Sequence, residues 1–577
     1  MNELRNIAII AHVDHGKTTL VDAMLRQSGI FRDNEIVQER VMDSNDLERE
    51  RGITILSKNT SVHYGQVKIN IVDTPGHSDF GGEVERVLNM VDGVLLLVDA
   101  FDGPMPQTRF VLRKALELHL VPVVVINKIE RLDAGPREVA DEMLDLFVGL
   151  EAPEEFLDFP LIYASARQGV ATTELTSPGQ DLKALFEAIV DNVPAPKGER
   201  DGALQILVNN TVYDQYLGRM VLGKINRGSL RSGQNVALIR HDQSLTSGKI
   251  GRLYAFEGLA RVEVEEAFCG EVVTFSGLED VNIGETVADP ENPEQLPPIM
   301  VDEPTLKMTF MINDSPFAGR EGKFVTSREL RARLFKEMER NVSLRVTDTL
   351  NADSFEVCGR GELHLSILIE TMRREGYELQ VSKPEVIFKE IDGKKCEPME
   401  NLVVDIPEAQ MGPVMEIMGL RKGELSNMTS VGGGQLRLEF KVPARGLIGF
   451  RSQLLTETRG NAVMNHVFAG YEPYKGDMNQ RTRGVMIAFE TGETAMYGMN
   501  AVQERGILFV DPGVPVYEGM VVGEHCREQD IEVNVCKKKH LTNMRSSTAE
   551  QALRLEEPRK FSLEERLEYS GEDEQKE

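Results

Sequence analysis

The chain is short of cysteine, of long apolar runs and of positive charge, and each shortage excludes something. Five cysteines, at 269, 358, 396, 526 and 536, are scattered through 577 residues. They show neither metal-ligand spacing nor a disulfide framework, which fits a reducing compartment. Cys358 and Cys396 sit in apolar, strand-like contexts and read as core thiols. No stretch reaches the roughly 18 apolar residues that a membrane helix needs. The start, Met1-Asn2-Glu3-Leu4-Arg5, lacks the basic region and apolar core of a signal peptide. A cytoplasmic protein with no membrane partner is therefore expected. Lys and Arg number 65 against 93 Asp and Glu, a formal charge of −28. That balance opposes non-specific nucleic-acid binding, although local basic loops can still meet RNA. The length suits several domains rather than one core.

What the chain does have is a phosphate cradle near its start. The apolar run Ile7 to Ile10 leads into Ala11-His12-Val13-Asp14-His15-Gly16-Lys17-Thr18, and a helical pattern begins at Leu20. A strand, a tight loop and a helix start with Gly-Lys-Thr at the join direct backbone N–H groups at phosphates. Gly16 permits the turn, Lys17 adds a cation and Thr18 offers a hydroxyl to magnesium. Ala11 stands where the strict loop pattern has its first glycine. Ile69 to Val72 is a buried-strand pattern that delivers Asp73, followed by Thr74-Pro75-Gly76-His77. Asp73 can hold a magnesium-bound water, and Gly76 can turn its N–H toward a terminal phosphate. Val121 to Ile126 is a further apolar strand, ending in Asn127-Lys128-Ile129-Glu130. Three strand ends with three chemistries fit an open α/β sheet with its ligand at the carboxyl edge.

These motifs resemble those of translational GTPases. So does the charged stretch Glu48-Arg49-Glu50-Arg51-Gly52-Ile53-Thr54-Ile55. Within that group the chain is similar to the BipA/TypA GTPases. The narrower likeness rests on Gly359-Arg360-Gly361-Glu362-Leu363-His364-Leu365, on Pro443-Ala444-Arg445-Gly446-Leu447-Ile448-Gly449-Phe450, and on Lys539-His540-Leu541-Thr542-Asn543-Met544-Arg545. It covers about residues 1 to 568.

The resemblance implies a ribosome-stimulated GTPase using GTP, GDP and Mg2+, acting as a monomer in ribosome assembly or in translation under stress. Asp14, His15, Gly16, Lys17, Thr18 and Thr19 would hold the phosphates, with a monovalent cation beside Asp14. Thr18, Thr54 and Asp73 would serve magnesium, and Gly81 and Gly82 a second moving segment. His77 would orient the attacking water, supported by Lys17, Thr54 and Gly76. Asn127, Lys128, Glu130, Ser165 and Ala166 would meet the base. Glu130 replaces the family's Asp, keeping the carboxylate but adding a methylene; Arg167 follows Ser-Ala where Lys is common. Arg360 with His364 would relay the switch. Arg445, Lys537, Lys538, Lys539 and Arg545 would touch RNA. A translocation or back-translocation factor, and a GTP-gated protein that acts by occupying a site, remain open alternatives.

The expected fold class is multidomain, α/β and β. A P-loop GTPase domain spans 1–197 and ends at the linker Val193-Pro194-Ala195-Pro196. Residues 200–300 carry short strands between glycine turns, a β-barrel pattern. Residues 304–390 read β-α-β-β-α-β, a ferredoxin-like order, and 396–478 repeat it loosely. A family-specific domain with a basic loop covers 480–568, and 569–577 is an acidic tail expected to be disordered.

Overall fold

The computed structural model describes residues 3–12, 14–29, 46–51, 54–55, 57–75, 81–177, 179–214, 216–278, 280–299, 303–338, 341, 343–432, 434–478, 483–538, 554–569, 571 and 574. Gly76, His77, Lys539 and Arg545 lie outside them.

The GTPase domain is built on seven strands. They are β1 (Glu3–Ala11), β2 (Lys58–Tyr64), β3 (Val67–Asp73), β4 (Gly93–Asp99), β5 (Val121–Asn127), β6 (Leu161–Ser165) and β7 (Val170–Thr172). Their order across the sheet is β2-β3-β1-β4-β5-β6-β7. Neighbours from β3 to β6 are parallel, while the outer strands β2 and β7 run antiparallel. Connections leave β1 and β4 toward opposite edges, so a crevice opens at their carboxyl ends.

The central strands carry unbroken apolar runs, such as Ile7 to Ile10 of β1 and Val94 to Val98 of β4, because both their faces are covered. Ala8 and Ile10 of β1, Val94, Leu96 and Val98 of β4, and Val124 and Ile126 of β5 enter one core layer. That layer is closed by α3 (Gly81–Leu88), α4 (Pro106–Glu117) and α5 (Pro136–Gly149). The alternate residues Ile7, Ile9, Leu95, Leu97, Val123 and Val125 enter the other layer, under α1 (Lys17–Gln27) and α6 (Lys183–Asn192). A short helix, α2 (Asp46–Arg51), precedes Thr54.

The second region is an all-antiparallel, eight-stranded sheet between Gln205 and Ala288 around its own apolar core. Leu222, Phe256 and Val272 of this region also belong to the first GTPase-domain core layer. Polar ties cross beside them. Ser61 Oγ donates to Phe256 O at 2.9 Å, and Lys68 Nζ lies 2.7 Å from Glu257.

The first ferredoxin-like module has strands 306–312, 345–348, 354–359 and 379–381, with α7 (Ser327–Met338) and α8 (Glu362–Glu375). Its sheet places the second strand beside the third, then the first, then the fourth. The next module has strands 394–407, 424–432, 435–443 and 463–473, with α9 (Met411–Leu420) and α10 (Phe450–Glu457), in the same spatial order. A four-stranded sheet and α11 (Met496–Val502) follow. The described chain also contains α12 (Leu563–Tyr569), which packs against α8 of the first ferredoxin-like module while its Tyr569 ring meets Phe509 of the preceding region.

Candidate nucleotide site

Strands β1, β3, β4, β5 and β6 all end at one edge, and the site residues sit in the loops beyond them. Gly16 caps α1 with a φ of +94°. A β-carbon there would lie 2.5 Å from Asn127 Nδ2, so both conformation and space call for glycine. The unpaired N–H groups of the first turn of α1 face the end of the sheet crevice with the helix's partial positive charge. Lys17 is 7% exposed, and its Nζ lies 3.0 Å from Oδ1 of fully buried Asp73. Thr18 is half-buried, Thr19 exposed, and Asp14 exposed with a φ of +63°.

Thr54 is buried within a braced segment. Glu48 Oε1 accepts the Ile55 N–H at 2.9 Å, and Glu48 Oε2 lies 2.6 Å from Lys58 Nζ. Ser57 Oγ donates to Glu83 of α3 at 3.3 Å, linking the two segments on either side of Asp73.

Asn127 ties two loops together. Its Nδ2 donates to His15 O at 2.8 Å, and its Oδ1 accepts the Ala166 N–H at 2.9 Å. One amide hydrogen and one oxygen lone pair are left for a base. Ser165 and Ala166 are buried beside it. Lys128, at a φ of +64°, places Nζ 2.6 Å from Oδ2 of buried Asp99. Burial alone would raise the Asp99 carboxyl. Hydrogen bonds from Lys128 and the Phe101 N–H outweigh it and hold the carboxyl below the usual range. Glu130 is exposed in the following turn.

His15 is 1% exposed, and its Nδ1 accepts the Asp99 N–H at 3.3 Å. Burial, then the neighbouring His12 ring, push its pKa down to about 3. The imidazole is therefore neutral at physiological pH and serves as packing under the phosphate loop.

Asp99 escaped the sequence reading. Its signal was available: Val94 to Val98 is another apolar strand, and like Asp73 it is an Asp at the strand's end. Asp102 and Met105, just beyond, meet the second ferredoxin-like module. Arg437 donates to Asp102 O at 3.2 Å while paired with Asp405 at 2.8 and 2.9 Å.

One expectation needs correction. Arg445 is not an exposed RNA contact. It is 9% exposed, forked onto fully buried Glu397, and it donates to Gly476 O at 2.5 Å. Its motif lies where the two ferredoxin-like modules meet, with Ala444 packed on the core of the first. Half-buried Arg360 reaches Glu85 of α3 at 3.8 Å, and His364 Nε2 lies 2.6 Å from Asn341 within its own module. Lys537 and Lys538 are exposed.

The donor set fits a nucleotide phosphate chain with a hard divalent cation. A buried ammonium beside a buried carboxylate and a helix start carrying the Thr18 hydroxyl meet there, all nitrogen cations or oxygen donors. Among the described residues there is no His/Cys/Asp/Glu cluster that would hold a metal by itself. Among them, too, no helix is long and apolar enough to cross a membrane.

The class that this fold and site define is the translational GTPase. Residues 2–195 match the family of the elongation factor Tu GTP binding domain, and 218–288 match elongation factor Tu domain 2. Residues 394–482 match the elongation factor G C-terminus, and 483–577 the TypA/BipA C-terminal domain. A Synechocystis protein described as large ribosomal subunit assembly factor BipA is 56% identical, over 99% of this chain and 96% of its own length. Proteins with the same description from Bacillus subtilis and Escherichia coli are 55% and 51% identical, over 99% and 100% of this chain and 94% and 95% of theirs. A solved Thermus thermophilus structure shares the fold at a TM-score of 0.57 and 17% identity, covering 82% of this chain and 98% of that one. The chain belongs to the BipA/TypA family of translational GTPases.

Proposed function

We propose that the chain is a ribosome-stimulated GTPase acting in assembly of the large ribosomal subunit or in translation under stress such as cold. The observation that supports the chemistry is the meeting of the Lys17–Asp73 pair and the Asn127 bridge at one sheet edge. The task is carried by the relatives' description as large-subunit assembly factors.

In this reading Lys17 and the N–H groups from Asp14 to Thr19 grip the phosphates, and GTP becomes GDP and phosphate. Thr18, Thr54 and Asp73 hold magnesium, which when bound neutralises charge on the transferring group. Asp14 faces a monovalent cation. Gly76 and His77 act at the third phosphate, His77 by orienting the water. Turnover is slow until docking completes that arrangement. The test is phosphate release with and without purified ribosomes, in wild type and His77→Ala. Wild type should accelerate with ribosomes, and His77→Ala should lose about 10²-fold or more of that acceleration. Wild-type turnover that ignores ribosomes sinks the proposal.

Glu130 makes a second expectation measurable. The added methylene moves the carboxylate fork, to which hydrogen bonds are sensitive. Guanine preference should survive, with affinity below that of Glu130→Asp. Calorimetry with GTP, ATP and xanthosine triphosphate decides; a wild type that binds ATP as well as GTP refutes it.

The basic loop supplies the RNA contact in an acidic chain. Changing Lys537, Lys538 and Lys539 together to Gln should weaken co-sedimentation with ribosomes, by a margin that is widest at low salt and narrows as salt rises, and spare GTP affinity. Unchanged co-sedimentation removes this role from them and weakens the case for Arg545.

A further inference from the structure

Helix α8 stands between two helices that lie far from each other in sequence. One is α2, which leads into Thr54. Arg374 makes a two-pronged ion pair with Glu50 of α2, at 3.0 and 2.5 Å. Leu363 and Ile367, on the same stripe of α8, pack against buried Leu47 and Ile55. Leu47 and Ile55 bracket the Thr54 segment, and Glu48, 1% exposed, fastens it internally through Ile55 and Lys58. The segment's apolar anchors thus rest on α8.

The other neighbour is α12. Leu567 is 2% exposed within the core that holds Leu365, Leu368, Ile369 and Met372 of α8. Ser366 Oγ donates to Glu564 at 3.1 Å. A reciprocal cap starts α12: Ser562 N–H to Glu565 at 2.8 Å, and Glu565 N–H to Ser562 Oγ at 3.3 Å. The chain entering α12 is fastened to the C-terminal sheet. Arg559 N–H donates to Leu508 O at 2.9 Å, and the Phe561 and Tyr569 rings lie 4.8 and 5.3 Å from Phe509. Phe317 and Tyr517 make a second crossing, at 5.1 Å.

We infer that α8, braced from behind by α12, positions the Thr54 segment for the third phosphate. Ile367, Arg374 and Leu567 are then positioning residues for GTP recognition, although they lie outside the nucleotide cradle. Packed helices yield little to small displacements, so a brace on one flank is felt on the other. GDP lacks the phosphate that Thr54 would meet. Loosening the brace therefore costs GTP affinity while sparing GDP. Linkage makes this reciprocal: a partner that fixes the C-terminal sheet and α12 and so raises GTP affinity is itself bound more tightly, by the same factor, when GTP is present.

The inference rests on Thr54 as the group that senses the third phosphate, so that reading is tested alongside. Calorimetry on the full chain compares GDP with a non-hydrolysable GTP analogue in Thr54→Ala, Ile367→Ala, Arg374→Ala, Leu567→Ala and Leu567→Met. Each alanine variant should lose about fivefold or more in analogue affinity, with GDP affinity held within about twofold. Leu567→Met should restore the wild-type ratio. Arg374→Ala combined with Leu567→Ala should lose less than the product of the single losses, because both act through α8. An inert Thr54→Ala would overturn the Thr54 reading and the inference with it. Loss in Thr54→Ala without loss in the α8 and α12 variants overturns the inference alone. So does an equal loss for both nucleotides accompanied by a lowered melting temperature, which marks plain destabilisation.

Discussion

Asn127→Ala should weaken GTP and GDP binding by about a hundredfold, measured as the dissociation constant of either nucleotide. The Asn127 amide joins the phosphate loop at His15 O to the following loop at Ala166 N–H, at 2.8 and 2.9 Å. Its removal leaves a buried carbonyl and a buried N–H without that partner. Each such orphan costs about 1–3 kcal/mol, and about 1.4 kcal/mol is tenfold in affinity. The two loops then part, and the base and phosphate subsites lose their fixed separation. Asn127→Asp is the sharper control. It retains the acceptor for Ala166 but loses the donor to His15, so its loss should fall between those of wild type and alanine. An alanine variant within threefold of wild type, with an unchanged melting curve, would falsify the bridging role.

Arg445→Met should destabilise the second ferredoxin-like module by about 3–5 kcal/mol, because it strands a buried carboxylate. Glu397 is fully buried and accepts both the Arg445 fork and the Lys475 N–H, the latter at 2.7 Å. Chemical denaturation followed by far-UV signal reads the change. The paired replacement Glu397→Gln with Arg445→Met should recover much of the loss, since no unpaired charge remains. Equal stability of the single and double variants would argue against the ion pair as the cause. Any ribosome-binding defect of Arg445→Met should track this loss of fold rather than the ionic strength.

The sequence is legible where burial is two-sided or strictly periodic. Ile7 to Ile10, Ile69 to Val72 and Val121 to Ile126 are unbroken apolar runs because helices cover both faces of the sheet. The second helix of the first ferredoxin-like module is also plain, from the helical stripe of Leu365, Leu368 and Met372. The strand Glu424–Gly432 was not. It is an edge strand with a polar, largely exposed sequence, so its pairing with 435–443 leaves little hydrophobic alternation to read. Within the site, the glycine, lysine and strand-end carboxylate were legible because phosphate chemistry restricts residue type and spacing together. The fate of Arg445 was not, because its partner Glu397 is 48 residues away. A charged residue in a glycine-rich turn looks solvated until the fold supplies its counterion. The α8–α12 contact was hidden for the same reason: Ser366 and Glu564 are 198 residues apart.

The apolar layer shared by Leu222, Phe256 and Val272 with the nucleotide domain has a practical outcome. A fragment cut at the proline linker near residue 195 would leave Val84, Val94 and their neighbours without part of their cover, and such a fragment should aggregate on expression. A protease that nicks that linker should yield two pieces that still co-elute, and a heating scan should register the pair as a single melting event.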